Sequence, residues 1–141
     1  MTNPASGATS APTEPFHARS LGISLTVKDF RVSLAWYTEV LGFTKMRDFV
    51  RDGVVTGAAL MAGDAEISIN QDDGKKGKDR ALGQGISMRL TTDQGIDEVA
   101  ARVKAAGGTL DSDPADMPWG ARVFAITDPS GYKLVVSSPR K

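Results

Sequence analysis

The chain has 141 residues, 40% of them hydrophobic, and its 17 basic and 17 acidic side chains cancel. That length suits one domain with its own core, and the balanced charge gives no field to draw the protein to nucleic acid or to an anionic membrane. There is no cysteine, which excludes disulfides, thiolate metal sites and cysteine nucleophiles and fits a cytoplasmic protein. The single histidine, His17, excludes a metal site built on two imidazoles of one chain. No run of about 18 apolar residues is present to span a bilayer.

Residues 1–18 are rich in Pro, Ser, Thr, Ala and Gly. They read as a flexible tail with no basic start or apolar stretch of a secretory signal, and His17 sits at its end. Then Ile23, Leu25 and Val27 alternate with Gly22, Ser24 and Thr26, the period of a half-buried strand. Asp29 suits a helix N-cap. Phe30, Leu34, Tyr37 and Leu41 recur at helical spacing behind it, and Gly42 suits a left-handed C-cap. Residues 43–50 and 54–61 read as strands joined by the Asp52-Gly53 turn. Gly63-Asp64 turns the chain again into a strand from Glu66 to Asn70. The charged run QDDGKKGKDR follows, and residues 71–81 read as a solvated linker.

The pattern then restarts. Ile86, Met88 and Leu90 alternate with Gly85, Ser87 and Arg89. Thr92 or Asp93 can cap a helix whose apolar face is Ile96, Val99, Ala100 and Val103, with Gly107-Gly108 ending it. A short strand is expected around Thr109 and Leu110, followed by a loop over DSDPADMPWG. A strand from Ala121 to Thr127, the turn Asp128-Pro129-Ser130-Gly131 and a strand from Tyr132 to Ser137 complete the chain. Gly22 and Gly85 are 63 residues apart, as are Asp29 and Thr92. A repeat at fixed offset means two supersecondary units, each β-α-β-β-β, sharing one core. The modules span about 20–70 and 82–138 within a domain of 19–141.

Three stretches in this order resemble the vicinal oxygen chelate superfamily, the glyoxalase, bleomycin-resistance and dioxygenase group: LGISLTVKDFRVSLAWYTEVLGF (21–43), VAARVKAAGGTL (99–110) and FAITDPSGYKLVV (124–136). The resemblance covers residues 21–137. It implies an α+β fold of two βαβββ modules, whose curved mixed sheets surround a ligand cup. Metal-dependent members of the family hold one divalent ion through four inward side chains. Carried over, those positions fall on Gly22, Glu66, Gly85 and near Val135. Only Glu66 is a donor, so the resemblance implies neither a metal site nor a cofactor here.

Strand parity adds the lining: Gly22, Ser24, Thr26, Glu66, Ser68, Asn70, Gly85, Ser87 and Arg89 face the cup. The candidate ligand-binding residues are Ser24, Glu66, Asn70, Ser87, Arg89, Trp119 and Arg122. Arg89 can hold an anionic group through its planar fork or pair with Glu66. Trp119, in the loop MPWG, can wall the mouth of the cup. Arg122 can reach the cup or the surface. Glu66 is also the one candidate for a catalytic base. Whether the chain is an enzyme stays open. The expected function is metal-independent binding of a small organic molecule, an antibiotic or aromatic metabolite, by a homodimer of the bleomycin-resistance type. The alternative is a metal-dependent glyoxalase- or dioxygenase-like lyase, isomerase or oxygenase.

Overall fold

The structure, a computed structural model, describes residues 14–140. Residues 1–13, most of the expected tail, lie outside it. Residues 14–20, His17 included, are exposed and carry neither helix nor strand.

Two four-stranded mixed sheets form. In chain order the first module is β1 (Gly22–Val27), α1 (Phe30–Ala35), β2 (Thr44–Arg51), β3 (Val54–Ala62) and β4 (Ala65–Gln71). The second is β5 (Ser87–Thr91), α2 (Ile96–Ala105), β6 (Leu110–Asp116), β7 (Arg122–Thr127) and β8 (Lys133–Ser137). Strand order is β1-β4-β3-β2 in one sheet and β5-β8-β7-β6 in the other. β1 runs parallel to β4 and β5 parallel to β8, and the other neighbours are antiparallel.

Local chemistry accounts for most boundaries. Asp29 caps α1, its carboxylate accepting from Arg31 N and Val32 N. A π-helical turn, Trp36–Val40, continues α1. There the Thr38 hydroxyl donates to the carbonyls of Leu34 and Ala35, which competes with the regular backbone ladder. Gly42, at φ +86°, closes it. Asp52 and Gly53 both take positive φ (52° and 76°), as a tight two-residue hairpin requires.

Three details differ from the sequence expectation. The chain stays extended through Leu110–Asp116 instead of leaving the sheet after Leu110. Register shifts on either side of Ser112 accommodate Pro114, and β6 is an edge strand, where a missing N–H is tolerated. The N-cap of α2 is Gly95, not Thr92 or Asp93. Thr92 instead accepts from Gln94 N in a turn of its own, so four residues separate β5 from α2 where two separate β1 from α1. The expected linker is tied at both ends. Gln71 belongs to β4, and its amide accepts from Phe30 N and donates to the Lys28 carbonyl. Asp72 pairs with Arg80 at 3.3 Å, and the amide of Gly74, with Arg80, holds its carboxyl below the usual range.

The helix-facing sides of both sheets share one core. Leu25, Val27, Leu60, Ile67 and Ile69 of the first sheet join Met88, Phe124, Ile126, Leu134 and Val136 of the second, with Val99, Ala100 and Val103 of α2. The Asp128-Pro129-Ser130-Gly131 turn docks the second module on the first. Tyr37 Oη, fully buried, donates to Asp128 Oδ2 at 2.7 Å. Asp128 Oδ1 accepts from Ser130 N and Tyr132 N. Lys28 N donates to Ser130 Oγ, and Tyr132 Oη to the Thr26 carbonyl. Burial first, then the neighbouring Asp128 carboxylate, pushes the Tyr37 phenol far above its ordinary pKa.

Candidate ligand-binding site

Residues paired across neighbouring strands point to the same side of a sheet, so the register sorts each sheet into two faces. The face of the first sheet away from the helices carries three rows. One is Phe49, Gly57, Asn70 and Thr26; the next is Arg47, Ala59, Ser68 and Ser24; the third is Thr44, Met61, Glu66 and Gly22. The second sheet shows Ser87, Lys133 and Thr127; then Arg89, Val135, Ala125 and Ser112; then Thr91, Ser137, Val123 and Ala115. The centre of the first face is Ala59 and Ser68, and that of the second is Ala125 beside Val135, with longer side chains around them. Such a face offers volume to a ligand instead of filling it.

The structure therefore brings Ser24, Glu66 and Asn70 together on one face, with Asn70 Nδ2 donating to Ser24 Oγ at 3.0 Å. Ser87 and Arg89 share the other. Gly85 does not belong to this set: it lies ahead of β5 in a turn, at φ +75°. Arg122 is on the opposite side. It follows the parity of Phe124 and Ile126, and its guanidinium holds Asp97 of α2 at 2.9 Å and Asp116 at 3.2 Å. The bonds to Asp97, then Asp116, raise its already high pKa. It staples α2 to the β6–β7 hairpin. Trp119, 53% exposed, occupies the β6–β7 turn at the outer edge of the second sheet. Glu66 and Arg89 form no ion pair among the described residues; all the ion pairs there involve other side chains.

Sequence reading missed Phe49, Arg47, Gly57, Val123, Ala125 and Lys133 on these faces. A Cβ on Gly57 would stand 2.5 Å from the Ile69 carbonyl, 2.8 Å from Asn70 Oδ1 and 3.0 Å from Phe49 Cδ2. The ring of Phe49 and the amide of Asn70 thus both close over this glycine. Arg47 lies over the ring, its Cζ 5.3 Å from the centroid, a cation–π contact.

The four positions where the resemblance places metal ligands do not fit a divalent ion. Gly22 pairs with Glu66, and Val135 pairs with Arg89. One carboxylate beside glycine, valine and a guanidinium falls short of the three or four donors such an ion needs. Among the described residues no group of three or more His, Cys, Asp and Glu could hold one.

A cleft of about 830 Å³ opens on the helix side between the modules. Leu41, Phe43, Leu90, Val99, Val103 and Arg102 are among its walls, and Arg89 and Thr91 border it from the open faces. No helix among the described residues is long and apolar enough to cross a membrane.

The sequence matches the family model described as Glyoxalase/Bleomycin resistance protein/Dioxygenase superfamily over residues 19–136. No curated protein matches it. Among solved structures the chain is similar to a glyoxalase/bleomycin resistance protein/dioxygenase domain from Frankia sp. EAN1pec, with TM-score 0.70 and 22% identity over 89% of this chain and 95% of that one. A superfamily member from Sphaerobacter thermophilus gives 0.68 and 24%, covering 87% and 98%. One from Nocardioides gives 0.68 and 19%, covering 92% and 88%. At these identities the likeness concerns the fold.

Proposed function

The chain belongs to the glyoxalase/bleomycin resistance protein/dioxygenase superfamily, and within it we propose a metal-independent protein that binds a small organic molecule, an antibiotic or an aromatic metabolite, and sequesters it. The observation that carries this reading is the pair of open sheet faces, with Ala59 and Ser68 at the centre of one and Ala125 beside Val135 at the centre of the other. Because both sheets turn their other sides into one core, the open faces of a single chain point away from that core. A second copy can bring the first module of one chain against the second module of the other. The proposed binder is therefore a homodimer with two equivalent cups, as closed two-fold symmetry requires. Met46, Val50, Val54 and Val55, exposed on the β2–β3 hairpin, provide apolar contact area for it. A cytoplasmic location belongs to the same proposal and rests on the absence of cysteine.

Binding would draw on burial of the ligand's apolar surface. Ser24, Asn70, Ser87, Arg89 and Glu66 would set its orientation, with Trp119 as a wall from the hairpin edge. The donor set leaves Glu66 without the partners that metal chemistry would require. A fluorescence titration against a panel of aromatic antibiotics and metabolites tests the proposal. At least one compound should quench or shift the emission, and Trp119→Ala should bind it about tenfold more weakly, the worth of one stacked indole. A panel with no response at millimolar concentration, or hits that bind the variant equally well, would refute it.

A further inference from the structure

The charges of the two open faces do not balance, and resting on the cup proposed above we infer that the ligand is a planar anion, an aromatic carboxylate. Arg47 on the first face and Arg89 and Lys133 on the second stand against only two carboxylates, Glu66 and Asp111. Asp111 reaches the second face by accepting from the hydroxyl of Thr127. Some cations elsewhere pair across elements, Arg122 with Asp97 and Asp116, Lys104 with Asp113 and Arg80 with Asp72, while others such as Lys28, Arg31 and Arg51 stand in water without an ion pair among the described residues. None of the three open-face cations has a carboxylate within ion-pair distance among the described residues.

An exposed cation needs no partner, because water solvates it. Closing two faces into a cup removes that water, and a desolvated guanidinium without a counter-charge is strongly disfavoured. Glu66 and Asp111 can neutralise at most two of the three cations. One positive charge per cup remains for the ligand. A carboxylate carries one negative charge at neutral pH, whereas a phosphate monoester carries nearly two, so the single excess favours the carboxylate.

Geometry supplies the planarity. Phe49 lies down over Gly57, and Arg47 lies over Phe49. A guanidinium stacked on a ring is oriented in advance and keeps its N–H edge for a bidentate carboxylate and its outer face for a second flat group. The small side chains of Ala59, Ser68 and Ser24 leave a slot beside it.

Calorimetric titration of the full chain with 1-naphthoate, 1-naphthamide and 1-naphthylmethylamine tests this, since the three share one ring system and differ in charge. The carboxylate should bind at least about tenfold more tightly than the amide or the amine, the worth of a charge-assisted pair in a dry site. Arg47→Gln and Arg89→Gln should each erase that preference, and added salt should weaken only the carboxylate. Amide or amine binding as tightly as the carboxylate would overturn the inference while leaving a ring-binding cup. Silence from all three would overturn the inference, while the binding proposal falls only if the aromatic panel is silent as well. Both arginines are exposed, so the variants should fold, and a thermal melt of each confirms it.

Discussion

Replacing Tyr37 by Phe isolates the bond that docks one module on the other. The phenol is fully buried and its acceptor, Asp128, is 4% exposed. The substitution removes one 2.7 Å hydrogen bond to a carboxylate and leaves Asp128 Oδ2 with no other bond among the described residues. A hydrogen bond to a charged group is worth about 2 kcal/mol, and orphaning a buried partner keeps the loss at the upper end of that range. For a chain of this length the melting temperature should fall by about 7 °C. The pH dependence gives a second readout. The folded pKa of Tyr37 lies above the unfolded value, so its contribution is complete below about pH 10 and declines as pH rises beyond it, by about 1.4 kcal/mol per unit. The stability gap between wild type and Tyr37→Phe should therefore shrink between pH 10 and 11. Urea denaturation at pH 7, 10 and 11 measures it. A gap below about 0.5 kcal/mol at pH 7, where surface-like substitutions fall, or one that persists unchanged to pH 11, would refute the reasoning.

Two further outcomes follow from the faces. Gly57→Ala should lose about 1–3 kcal/mol in a urea melt, because the added methyl meets the Ile69 backbone as well as the Asn70 and Phe49 side chains; a neutral result would mean that this strand is not held as described. Arg122→Ala should leave ligand titrations unchanged and shift the melting temperature by no more than about 2 °C, since its ion pairs are exposed; weakened ligand binding would return Arg122 to the site.

Much of the fold was legible because the chain alternates cleanly where one face is buried. Ile23, Leu25 and Val27, and later Met88 and Leu90, announce their strands, and turn residues with positive φ punctuate them at Gly42, Asp52-Gly53 and Gly107. β6 was obscured because LDSDPAD has neither alternation nor β-propensity; an edge place and two register shifts let it pair regardless. The same irregularity hid half of the site. Parity counted from Glu66, Ser68 and Asn70 finds Ser24 correctly, but β2 shifts register between Lys45 and Arg47 and again between Phe49 and Val50. Period-2 counting cannot carry the face across those bulges to Arg47 and Phe49. Arg122 is ambiguous in sequence because a first strand residue can turn either way, and Asp97, 25 residues distant, fixes it together with Asp116. Asp128 signals only a turn in the sequence, because its bond to Tyr37 spans 91 residues, beyond any local signal.

Complementation between two blocked chains tests the shared cup most directly. Ser24→Trp fills the first-module face and Ser87→Trp the second, both at exposed positions. Each homodimer should bind no ligand, since every cup contains one filled face. Mixed, denatured and refolded together, the two chains should recover about a quarter of the wild-type sites, because half of the dimers are mixed and each holds one cup with both faces clear. No recovery in a mixture that demonstrably forms mixed dimers would contradict the account, placing the ligand within single chains, and blocked homodimers that still bind would place it outside these faces.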